Sequence, residues 1–85
     1  MITPIKKIGL LGGTFDPIHR GHTSIAKKLI EQCELDDVQF IPNYHPATNK
    51  VLNTSPQHRL EMVKLATKSD PHFHPNDLEI QRQGA

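Results

Sequence analysis

A short apolar run from Ile5 to Leu11 stops at two adjacent glycines, Gly12 and Gly13, and beyond Gly21 the apolar residues return at a new spacing: Ile25, Ala26, Leu29, Ile30 and Cys33. The first run reads as a strand buried on both faces towards its end, with Lys6 and Lys7 near its start; the second has helical spacing. A strand that hands over to a helix through a glycine loop predicts the opening unit of a parallel α/β sheet. The pattern then recurs. Val38 to Pro42 predicts a second strand, and Asn43 to Thr54 has no period and reads as a loop. Ser55-Pro56 is a helix start, because serine accepts an orphan amide at the N-cap and proline at the first helical position loses no hydrogen bond. Leu60, Val63 and Ala66 line one face of this helix, which is expected to stop near Ser69-Asp70-Pro71. Phe73 to Ile80 reads as a third, weaker strand, placed at an edge or a bulge by Pro75. The order strand, helix, strand, helix, strand predicts right-handed crossovers and an α/β fold: the N-terminal half of a Rossmann-like, doubly wound parallel sheet.

Composition agrees with a partial sheet. The 85 residues hold at most one domain, with 35% hydrophobic residues and no tryptophan, which is lean for a self-sufficient core. A sheet of this class runs to about five or six strands, so an open edge and partly covered helix faces are expected. The single cysteine, Cys33, forms no internal disulfide and is expected in the core face of the first helix, which points to a reduced, cytoplasmic protein. Ten Lys and Arg against nine Asp and Glu give a formal net charge of +1, which argues against a nucleic-acid footprint or a polybasic membrane anchor. The apolar run before Gly12 is too short for a signal peptide or a membrane span.

The chemistry concentrates in Gly12-Gly13-Thr14-Phe15-Asp16-Pro17-Ile18-His19-Arg20-Gly21-His22, at the strand-to-helix junction where ligands of this fold class bind. Glycines let the backbone approach a phosphate, and the helix that follows offers unpaired amides and the positive end of its dipole. His19 and His22, three positions apart, share a face at or just before the first helical turn. Two imidazoles there suit a reaction in which negative charge builds on a phosphoryl oxygen, and the protein needs no nucleophile of its own. Read as an isolated pair, they are also compatible with surface histidines or half of a zinc site.

The stretch from Gly12 to His22 resembles the signature of the nucleotidylyltransferase superfamily, with His19-Arg20-Gly21-His22 as its His-x-Gly-His motif. Within it the version here is most similar to that of bacterial nicotinate-nucleotide adenylyltransferases. Phe40-Ile41-Pro42-Asn43, Ser55 to Met62, and Asp77-Leu78-Glu79-Ile80 with Arg82 and Gly84 resemble that family in order and spacing. The resemblance covers essentially the whole chain and corresponds to the N-terminal part of a single catalytic domain, with residues 1–85 in that part. It implies transfer of AMP from ATP, accompanied by Mg²⁺, to the 5′-phosphate of nicotinate mononucleotide, giving nicotinate adenine dinucleotide and pyrophosphate in NAD biosynthesis. It further implies that Gly12, Gly13, Thr14 and Phe15 meet the nucleotide and that His19 and His22 stabilise charge on its phosphates as catalytic residues. Thr14 and Lys50 are implied as substrate contacts, and no protein-bound metal is implied.

The sequence departs from the family pattern at Pro46-Ala47-Thr48-Asn49-Lys50, where a Pro-Pro-His-Lys-like motif is usual, so Lys50 reads equally as a phosphate-binding cation or a solvated loop charge. The family's Ser/Thr-rich phosphate segment falls beyond Ala85. Arg59 reads as a surface partner of Glu61 or Glu31, His72 and His74 as a solvent-facing pair without an acidic neighbour, and Asp16 as an organiser of the glycine loop. No Gly-x-Gly-x-x-Gly with a following acidic residue and no Gly-Lys-Ser/Thr occurs, which counts against a dinucleotide oxidoreductase and a P-loop NTPase. The alternatives are a pantetheine-phosphate adenylyltransferase and, from another class, a non-catalytic nucleotide-binding remnant that pairs with another chain, a homo-oligomer included, through its open sheet edge.

Overall fold

The computed structural model describes residues 6–15, 17–44 and 55–82, which run β1 (Ile8–Gly13), α1 (Arg20–Cys33), β2 (Asp37–Pro42), α2 (Pro56–Thr67), β3 (Phe73–Pro75) and α3 (Leu78–Gln81). The strands form one parallel sheet in the order β1-β2-β3. Register pairs Gly9 with Val38, Leu11 with Phe40, and Gly13 with Pro42, while Val38 and Phe40 lie opposite Phe73 and Pro75. The expected βαβαβ half of a Rossmann-like sheet is therefore present.

Strand alternation decides what is buried. Val38, Phe40 and Pro42 share one face of the middle strand, and Ala26 of α1, Val63 of α2, Phe15 and Phe73 join Val38 and Phe40 in a single buried cluster. Both long helices thus cover the same face, as two crossovers of one hand require. On β1 the residues of that face are Gly9, Leu11 and Gly13; Ile8, Leu10 and Gly12 point the other way, and Leu10 is 67% exposed. The expectation that β1 is buried on both faces is thus corrected: it is an outer strand whose second face is uncovered among the described residues. Helix faces are partly open as well, at Ile25 and Leu65, and Cys33 is exposed rather than packed in the core face of α1.

Element boundaries differ from the sequence reading for local reasons. Gly12 and Gly13 belong to β1, held in register by Ile41 and Pro42, so the loop begins at Thr14 and α1 begins at Arg20, ahead of Gly21. α1 ends at Glu34, which takes a left-handed conformation (φ 53°) and returns its amide to the Ile30 carbonyl. α2 opens as read: Ser55 Oγ accepts from the His58 amide at 3.1 Å, with Pro56 in the first turn. The third strand is shorter than expected. Its pairing stops at Pro75, and Asn76 Oδ1 then accepts the Leu78 amide at 2.9 Å, a side-chain turn that converts the segment up to Ile80 from strand to the short α3. Among the described residues, no helix is long and apolar enough to cross a membrane.

Candidate active site

The carboxyl ends of β1 and β2 and the N-termini of α1 and α2 meet at one end of the sheet, where the motif residues gather. Past Gly13 the chain turns at Phe15, whose φ of 52° is costly for a residue with a side chain. The turn is held by packing. The Phe15 ring is buried, 5.9 Å from the Phe40 ring and edge-on to His22 at 5.0 Å. It also folds back over the strand end: a Cβ on Gly13 would lie 3.3 Å from two of its ring carbons. The second glycine of the pair therefore makes room for an aromatic anchor that seats His22 against the core.

His19 is the N-cap of α1 and His22 the third residue of its first turn, and the two cap the helix reciprocally. His19 Nδ1 accepts the Gly21 amide at 3.1 Å, and His22 Nδ1 accepts the His19 amide at 3.0 Å. An imidazole nitrogen that accepts from a backbone N–H carries no proton, so both neutral rings hold their proton on Nε2. The rings lie side by side with centroids 4.0 Å apart. Burial, and secondarily the adjacent His19, pushes His22 below the ordinary histidine value of 6.5. When neutral, the pair thus presents two Nε2–H groups at the positive end of a 14-residue helix, an arrangement suited to an anion.

The glycine between the histidines has a steric reason. A Cβ on Gly21 would stand 2.8 Å from His19 Cε1 and 2.9 Å from His19 Nδ1, so the imidazole occupies the space a side chain would need.

The remaining residues divide clearly. Gly12 is exposed at the strand end, Gly13 accepts the Asn43 amide at 2.9 Å, and Thr14 is half-buried beside them. Lys50 and Asp16 lie outside the described residues. Arg59 overturns its reading as a surface charge: it is 1% exposed, and its guanidinium Nη1 donates to the carbonyl oxygens of Thr14 (2.8 Å) and Asn43 (2.7 Å), and Nη2 to that of Tyr44 (3.2 Å). The signal was periodic, since Arg59 sits four residues before the buried Val63. At the opposite end of β2, His72 and His74 are exposed as expected, but they do have an acidic neighbour: Asp37 Oδ1 lies 3.6 Å from His72 Nδ1 and 3.4 Å from His74 Nε2.

Residues 10–84 match a family model described as cytidylyltransferase-like. A protein of Oceanobacillus iheyensis named "Probable nicotinate-nucleotide adenylyltransferase" is 45% identical over 80 residues, covering 94% of this chain and 42% of the relative. One of the same name from Neisseria meningitidis serogroup A is 47% identical over 81 residues (95% and 41%), and one from Dictyoglomus turgidum 46% identical over 78 residues (92% and 38%). The chain spans about two fifths of the length of these curated relatives.

Proposed function

The chain belongs to the cytidylyltransferase-like family, and on that premise we propose that it binds ATP and takes part in transferring AMP to nicotinate mononucleotide, a step of NAD biosynthesis in the cytoplasm. The observation that carries the reading is the pair of Nε2–H donors on His19 and His22 at the N-terminus of α1. The relatives' names supply the acceptor. A 5′-phosphate oxygen of the mononucleotide attacks the α-phosphorus of ATP, the bond to the bridging oxygen breaks, and pyrophosphate leaves with that oxygen. The two imidazoles donate to phosphate oxygens as charge builds on them, while Gly12, Gly13, Thr14 and Phe15 bring backbone up to the nucleotide. Thr14 and Lys50 contact substrate phosphate, and magnesium enters as part of the ATP substrate. No covalent enzyme intermediate is needed, because positioning and fixed donors lower the barrier.

The test follows pyrophosphate release from magnesium and ATP with nicotinate mononucleotide, nicotinamide mononucleotide or phosphopantetheine as acceptor, alongside calorimetric titration of ATP into the chain. Release with nicotinate mononucleotide is expected. Release with phosphopantetheine alone would make it a pantetheine-phosphate adenylyltransferase. ATP binding without release would confine the chain to nucleotide binding, and absence of both would overturn the proposal.

A further inference from the structure

We propose that Arg59 is a positioning residue for the nucleotide site, fixing its walls by tying the segment after β1 to the segment after β2. Its guanidinium is buried at the start of α2 and reaches three backbone carbonyls from two different βα junctions: Thr14 from the first, Asn43 and Tyr44 from the second. Asn43 is joined to the first junction a second time, through its own amide on the Gly13 carbonyl at 2.9 Å. Arg59 and the Gly13–Asn43 bond thus form a closed link across the ends of neighbouring strands, beside the turn that seats Phe15 and His22.

The side chain suits this work for a stated reason. A planar guanidinium presents several N–H donors in fixed directions and can hold separate carbonyls in one geometry, whereas an ammonium is a point charge on a flexible stem. The buried cation also contributes positive potential at the end of the sheet where the phosphates of the proposed substrate arrive. Reception of those phosphates rests on the ATP reading above; the link between the two segments does not.

The experiment compares Arg59→Met and Arg59→Lys with Val63→Ala, a core truncation one turn further along α2 that shares the Phe15 cluster but removes no hydrogen bond to either junction. Backbone amide exchange is read in the ligand-free chain, and ATP affinity is read at a temperature where each variant is folded. In Arg59→Met, exchange of Phe15, Asn43 and Tyr44 is expected to rise by about tenfold or more relative to Val38 and Phe40, with ATP affinity falling by a similar factor, the scale of a lost charged hydrogen bond. Arg59→Lys falls between this and the natural chain. Val63→Ala loses stability while keeping junction exchange in proportion to the rest of the sheet and leaving ATP affinity near its original value. If Arg59→Met and Val63→Ala give the same uniform exchange profile, or if Arg59→Met leaves the junction amides protected, Arg59 is a core residue only and the proposal fails. Should Arg59→Met not fold, the lysine variant decides on the same amides. A natural chain that binds no ATP would sink the nucleotide reading, while the exchange profile still decides whether Arg59 links the junctions.

Discussion

The His19 and His22 rings lie 4.0 Å apart, and each gives up its Nδ1 to a backbone amide of the turn they share. This fixes the tautomer of each ring in its neutral form, leaving Nε2–H as the free donor. ¹⁵N spectra of the imidazoles are expected to show the Nε2–H form for both residues at neutral pH. His22 should titrate below the ordinary 6.5 because burial, then His19, disfavours its charged form. The sign for stability follows: the unfolded chain takes up the proton first, so His22 stabilises the fold above pH 6.5, and this contribution is lost as pH falls from 6.5 towards its lower native value. Thermal stability in this range should fall with acid, and less so in His22→Gln. An Nδ1–H tautomer would refute the capping argument.

Gly21→Ala separates stability from function. Alanine in place of a helical glycine contributes about 1 kcal/mol to the helix, but the new methyl group would stand 2.8 Å from His19 Cε1 and displace that ring from its cap on the Gly21 amide. The gain and the loss of a cap, about 1 kcal/mol, nearly cancel. Unfolding should therefore move little, while ATP affinity and any pyrophosphate release fall by about tenfold or more, the scale of a misplaced donor. An active and stable Gly21→Ala would show that the His19 position is not critical.

What could be read from the sequence was whatever is local. The strand-to-helix junction, the helical period of α1, the Ser55-Pro56 start of α2 and the pairing of His19 with His22 all depend on residues within a few positions of one another. What could not be read depends on distant chain segments. Arg59 looks like a solvated charge until Thr14 and Asn43, 45 and 16 residues away, bring their carbonyls to it. Asp37 meets His74 of β3, and His72 just before that strand, only because β2 and β3 pair in parallel register. The early end of β3 was nearer the surface of the sequence, since Pro75-Asn76 marks a strand stop followed by a side-chain turn.

The Asp37 cluster predicts a second pH effect at the acid end. Lys6 Nζ lies 3.2 Å from Asp37 Oδ2, and this hydrogen bond, assisted by His74, holds the carboxyl below its ordinary 3.8 in spite of burial. A lowered native value means that Asp37 stabilises the fold above pH 3.8, and that this contribution is lost as pH falls below 3.8 through the native value. Urea unfolding at stepped pH should show the loss, and Asp37→Asn should flatten the curve in that window. An unchanged slope would mean that Asp37 is solvated as in the unfolded chain.

The two faces of the sheet should respond very unequally to polar or smaller side chains. Phe40 is fully buried between Phe15 and Phe73, with ring centroids 5.9 and 5.2 Å away, whereas Leu10 on β1 is 67% exposed on the uncovered face. Phe40→Ala removes a ring from the cluster shared by both long helices and should cost about 3–5 kcal/mol. Leu10→Gln exchanges one solvated side chain for another and should stay within about 0.5 kcal/mol, while reducing self-association that an exposed apolar strand favours. Urea unfolding and sedimentation check both. If Leu10→Gln were as damaging as a core truncation, the face of β1 that carries Ile8 and Leu10 would be covered in solution, and the sheet would have a second layer beyond α1 and α2.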